Sequence, residues 1–114
     1  MSKRTPELLI EDVLEAAKKI RAYTKGMSLD KFIHDEKTID AVIRNFEIIG
    51  EASSRLPDEY RARHPEIEWE RIIGFRNRIV HEYFGIDHSI VWNIIQKYIP
   101  DLVKSLGVLP KKKK

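Results

Sequence analysis

Cysteine is absent from the chain, which removes disulfides, thiolate metal centres and a cysteine nucleophile together. Apolar runs are only a few residues long, far short of the roughly 20 that a membrane span needs. The start, Met1-Ser2-Lys3-Arg4-Thr5-Pro6-Glu7, has no apolar core of the signal-peptide kind. Those features predict a soluble, cytoplasmic protein with no membrane partner. No glycine-rich phosphate loop, Walker sequence or dinucleotide fingerprint is present, so nucleotide binding of those kinds is not expected. No two histidines stand four apart and there is no His-Glu helix motif. Neither a metal nor another cofactor is therefore expected, and His34, His64 and His88 read as surface or capping groups.

Charge of one sign is also scarce once its distribution is considered. The formal net charge is +3, but four of the 21 basic residues are Lys111 to Lys114. Without them 17 basic residues face 18 acidic ones, a balance of −1. The high isoelectric point thus says little about the folded part, and any nucleic-acid site there must come from local clustering. Residues 111–114 are expected to be a disordered tail, and 1–110 a single helical domain.

What is present is helical periodicity. Thr5-Pro6-Glu7 predicts a helix start, with Thr5 as N-cap and Pro6 in the first turn. Leu9, Val13, Ala16, Ala17, Ile20 and Tyr23 form its stripe, and Gly26 ends it. Ser28 caps a short second helical turn. A long helix over about 36–56 follows, with Ile39, Val42, Ile43, Phe46, Ile49 and Leu56 on the apolar face and Ala52 allowing a close neighbour. Pro57 stops it. Residues 57–65 read as a connector with a helical turn. Pro65 reads as the next helix start, with Ile67, Trp69, Ile72, Ile73, Ile79 and Val80 as core. After Phe84-Gly85-Ile86-Asp87 the last helix begins at Asp87 or His88. Its stripe is Ile90, Val91, Ile94, Ile95, Tyr98, Leu102, Val103 and Leu106; Pro100 is expected to kink or divide it, and Gly107 and Pro110 to close it. No strand-type alternation and no internal repeat occur. The fold class is all-α, an antiparallel bundle of four to five helices.

One helical stretch carries more polar chemistry than a core helix needs: Arg76-Asn77-Arg78-Ile79-Val80-His81-Glu82-Tyr83. Asn77 and His81, four apart, project within about 40° of each other, and Arg76 and Tyr83, seven apart, within about 20°. Arg76 and His81, five apart, diverge by about 140°. They can serve one substrate only from neighbouring faces, through a helix irregularity, or across a dimer interface. The residue types suit phosphodiester cleavage without a metal. An imidazole can take a proton from a ribose 2′-hydroxyl or give one to the leaving oxygen. A guanidinium supplies charge and paired donors to the transition state. Asn77 can orient the imidazole or hold a phosphate oxygen, and Tyr83 offers a hydroxyl and a ring for base stacking. A plain structural role also fits the stretch: Arg78 and Glu82 make an i,i+4 pair, and cations near a helix C-terminus contribute about 0.3–1 kcal/mol in any protein.

Arg76-Asn77, three further residues, then His81-Glu82-Tyr83 resembles the R-x4-H-x-Y signature of the HepT-like HEPN ribonuclease toxins. Upstream, Arg44-Asn45-Phe46-Glu47-Ile48-Ile49-Gly50-Glu51-Ala52 is similar to that family's long-helix segment, and the Tyr-Phe-Gly-Ile-Asp run after the motif fits too. The resemblance covers nearly the whole chain except the lysine tail. It implies a HEPN-like bundle acting as a metal-independent endoribonuclease toxin of a type II/VII-like toxin–antitoxin system. It also implies a homodimer in which one subunit's His81 meets the other's Arg76. Arg76 and His81 would be catalytic, Asn77 and Tyr83 supporting. The implied partners are RNA and a cognate minimal nucleotidyltransferase antitoxin, which would attach AMP to Tyr83. Arg44, Glu47 and Arg78 are candidate cleft-lining residues. The alternative is a non-catalytic helical subunit that presents itself or a substrate to a nucleotidyltransferase.

Overall fold

The computed structural model describes residues 4–82 and 85–107, with only the helical backbone for 80–82. The described residues form six helices and no strand. In chain order they are α1 (Pro6–Thr24), α2 (Leu29–Ile33), α3 (Glu36–Arg55), α4 (Asp58–Ala62), α5 (Trp69–Glu82) and α6 (His88–Gly107). Four are long and two are single turns, so the expected all-helical bundle is what forms. The lysine run and Pro110 lie outside the described residues.

Three of the four long helices, α1, α3 and α6, begin where the sequence supplies a cap. The Thr5 hydroxyl accepts the Leu8 amide at 3.2 Å, with Pro6 in the first turn. Asp35 accepts the Thr38 amide at 3.0 Å at the head of α3. Asp87 accepts the Ser89 amide at 2.9 Å before α6. Ser28 does the same for α2, accepting from Lys31 at 3.2 Å. These bonds satisfy amides that a helix start otherwise leaves open. Gly26, at φ +80°, makes the turn between α1 and α2, a backbone region that other residues rarely adopt.

The core is built on α1, which packs against both α3 and α6, and α5 packs on α3 and adds Trp69 and Ile79 to it. Leu9, Val13, Ala16, Ala17 and Ile20 bury against Ile39, Val42, Ile43, Phe46 and Ile49, with Val91, Ile95, Ile99 and Leu106 from α6. Alone, α2 is too short to be stable. Phe32 ties it down: the ring is wholly buried and sits 5.2 Å from that of Trp92.

Several expectations need correction. Tyr23 is 44% exposed; Thr24 takes the inward position instead, its hydroxyl donating to the Ile20 carbonyl at 2.8 Å. Ile90 is likewise 42% exposed, whereas Ile99, outside the expected stripe, is 1% exposed. Pro65 does not start a helix, for α5 begins at Trp69. Residues 63–68 turn so that both Ile67 and Trp69 reach the core, and the Trp69 indole donates to the His64 carbonyl at 3.0 Å. Pro100 does not divide α6. It stands on an exposed face while Ile95 and Ile99 before it and Leu106 after it are buried, holding both halves to one core.

Two outcomes follow. Phe32→Ala should destabilise the protein by about 3–5 kcal/mol, measurable by denaturant unfolding. Asp35 has its carboxyl held below the usual range by hydrogen bonds from the Thr38 backbone and side chain. Its contribution is complete above the ordinary carboxylate pKa and is lost as pH falls through the lowered one. Asp35→Asn should remove that part of the acid dependence of thermal unfolding and leave the rest of the profile in place.

Candidate active site

The polar stretch belongs to α5, and its position is set by a close approach to α3. A Cβ built on Gly50 would lie 2.0 Å from the Cβ of Arg76 and 2.6 Å from its Cγ. Only a residue without a side chain lets the Arg76 stem cross there. One turn earlier on α3, Phe46 meets Phe75 edge to face with ring centroids 5.1 Å apart. The crossing is thus fixed on one side by two rings and on the other by a missing methyl group.

Beyond Gly50 the Arg76 side chain is gripped at its end. One terminal nitrogen, Nη2, donates to Oε1 of Glu51 at 2.7 Å, and Nη1 donates to Oδ1 of Asn77 at 3.0 Å. The other Glu51 oxygen faces Nη2 of Arg55 at 3.2 Å. One carboxylate therefore lies between two guanidinium groups, and the trio carries a net charge of +1. Arg76 and Glu51 are 33% and 43% exposed at their side chains, so the trio is open to a ligand.

The other candidates are distributed around this point. Arg44 and Glu47 face each other at 3.7 Å one turn before Glu51 and make no described contact with Arg76. Arg78 opens onto a different surface, a groove of about 740 Å³ whose lining includes Phe75, Tyr98 and Lys97. In that groove the Arg71 guanidinium lies 4.7 Å from the centre of the Tyr98 ring. Hydrogen bonding to Glu68 raises the Tyr98 phenol, as do desolvation and the charge of Glu68, while Arg71 opposes the shift. His81 is in the last turn of α5. Its side chain, and Tyr83 altogether, lie outside the described residues. Among the described residues no group of three or more His, Cys, Asp or Glu could hold a metal ion.

The four-residue spacing of Glu51 and Arg55 points to a pair on one helix face, and that pair is present. The spacing does not reveal the longer-range bond to Arg76. A signal existed: Gly50 in the interior of a twenty-residue helix costs about 1 kcal/mol relative to alanine, which asks for a compensating close approach.

Gly50→Ala should push α5 away from α3 and destabilise the protein by about 1–3 kcal/mol through overpacking, read by urea unfolding. Gly26→Ala, strained but remote from this crossing, is the comparison. It should leave the Arg76 environment unchanged in an NMR spectrum, whereas Gly50→Ala should shift it.

Comparison with known proteins shows the family. A family model described as "Ribonuclease HepT-like" matches residues 13–108. A protein of Thermococcus cleftensis named as a probable ribonuclease HepT is 39% identical over 100 residues, covering 88% of this chain and 91% of that one. A protein of Caldanaerobacter subterraneus subsp. tengcongensis named as a candidate RNase is 37% identical over 111 residues, covering 97% and 99%. Another named so, from Methanocaldococcus jannaschii, is 36% identical over 109 residues, covering 96% and 100%. No solved structure gives a significant match. With this length of agreement and the Arg-Asn…His-x-Tyr pattern intact, the chain belongs to the HepT-like ribonuclease family.

Proposed function

We propose that this protein is an endoribonuclease that cleaves RNA without a metal, using Arg76 and His81 of α5. The observation that carries the reading is the Arg76 guanidinium, held at the surface by Glu51 and Asn77 within a trio of net positive charge. An RNA phosphate is the natural ligand for such a group, since a guanidinium offers five donors and the two described bonds use one on each terminal nitrogen.

In the reaction a ribose 2′-oxygen attacks the adjacent phosphorus while the bond to the 5′-oxygen breaks. His81 takes the proton of the 2′-hydroxyl or supplies one to the departing oxygen, a task suited to an imidazole near neutral pH. Arg76 binds the charge that gathers on the non-bridging oxygens as phosphorus becomes five-coordinate. Asn77 steadies the guanidinium from its own helix. The roughly 140° between Arg76 and His81 on an ideal helix favours a cleft built by two copies, His81 of one beside Arg76 of the other.

The wider setting follows from the family. The protein would be a cytoplasmic toxin neutralised by a minimal nucleotidyltransferase that adds AMP to Tyr83. That group would bring bulk and negative charge next to His81 and repel RNA. Among the described residues no helix is long and apolar enough to cross a membrane.

Purified protein should cut RNA in excess chelator. Arg76→Ala should lower the rate on the order of 100- to 1,000-fold, as loss of one transition-state donor group does. If wild type and His81→Ala degrade RNA equally under those conditions, the assigned site is wrong. Expression alone should arrest growth, and co-expression of the nucleotidyltransferase should relieve it; harmless expression would instead favour a non-catalytic partner subunit.

A further inference from the structure

We infer that Glu51 is a positioning residue for Arg76, fixing the guanidinium that meets the scissile phosphate; this rests on the reading of Arg76 as the transition-state arginine. An arginine side chain carries about 2 kcal/mol of rotamer entropy, so an unsupported one spends little time in a single pose. Here both ends of the side chain are constrained. Its stem lies against Gly50, and its head is bound by the next residue of the same helix at 2.7 Å. Two consecutive residues of α3 therefore define where the side chain begins and where it finishes.

The carboxylate could in principle withhold the arginine by neutralising it. The geometry argues against that, because the second oxygen of Glu51 already faces Arg55 at 3.2 Å. Shared between two cations, Glu51 orients Arg76 without cancelling the positive charge of the site. The Nη1 bond to Asn77 sets the rotation of the guanidinium plane. Its Nε–H and the second N–H of each terminal nitrogen have no described partner among the described residues. Those three donors are the ones a phosphate would take.

A placement error of about 1 Å costs on the order of 100-fold in a positioned reaction, which sets the scale of the effect. Glu51→Ala should lower kcat about 100-fold on an RNA oligonucleotide with a much smaller change in KM. Glu51→Gln, which keeps an acceptor at the same reach, should recover part of the loss. On an Arg76→Ala background Glu51→Ala should cost nothing more, because a residue acting only through Arg76 has nothing left to act on. Losses that multiply overturn the assignment. A second measurement does not depend on cleavage. In wild type the Arg76 Nη resonances should be resolved, reporting slow rotation of a bound guanidinium, and Glu51→Ala should average them. Equal averaging in both proteins also overturns it. Should wild type cut no RNA, the nuclease reading fails by itself, and the NMR comparison still decides whether Glu51 fixes Arg76.

Discussion

The contact on which the rest depends is the passage of the Arg76 stem across Gly50. Helix α5 packs along α3 and buries Trp69 and Ile79 in the core, and the crossing at Gly50 sets how near it comes. At this crossing the separation of the two helices is set by the absence of one carbon atom. The Phe46–Phe75 pair a turn away keeps the crossing from pivoting. The same residue that seats the helix thus also carries the surface guanidinium bonded to Glu51 and Asn77.

Much of the fold was legible in the amino-acid order. Caps at Thr5 and Ser28 stand where α1 and α2 start, and the interior positions of α1 and α3 follow from three- and four-residue spacing. The errors share a cause. Periodicity says which residues lie on one line but not where a neighbouring helix ends. Thus Tyr23 and Ile90 continue their stripes past the edge of the core and are exposed, while Ile99 is claimed by it. Pro65 misled for a related reason: burying Ile67 and Trp69 outweighed the local preference of proline for a first helical turn.

The candidate site was legible in a different way. The types and spacing of Arg76, Asn77 and His81 draw attention to this stretch, and the family model matches residues 13–108 around it. What spacing could not reveal is the residue 25 positions upstream that holds the arginine. A pairing between distant segments leaves no periodic trace. Arg55, four residues on, gives Glu51 a local partner, and nothing in the spacing marks the tertiary one.

Pro100 has a consequence for how the last helix behaves. Having no amide hydrogen, it leaves the carbonyl of Gln96, a turn earlier, without the donor an uninterrupted ladder would give it. Both residues are exposed, so water can serve that oxygen and the helix continues. The segment 101–107 is nonetheless joined to the rest of α6 by one rung fewer than its length suggests, and it is fastened by Leu106, almost wholly buried, with Leu102 and Val103 packed against the core. The terminal turns of α6 thus rely on side-chain packing for the hold that the missing rung does not give.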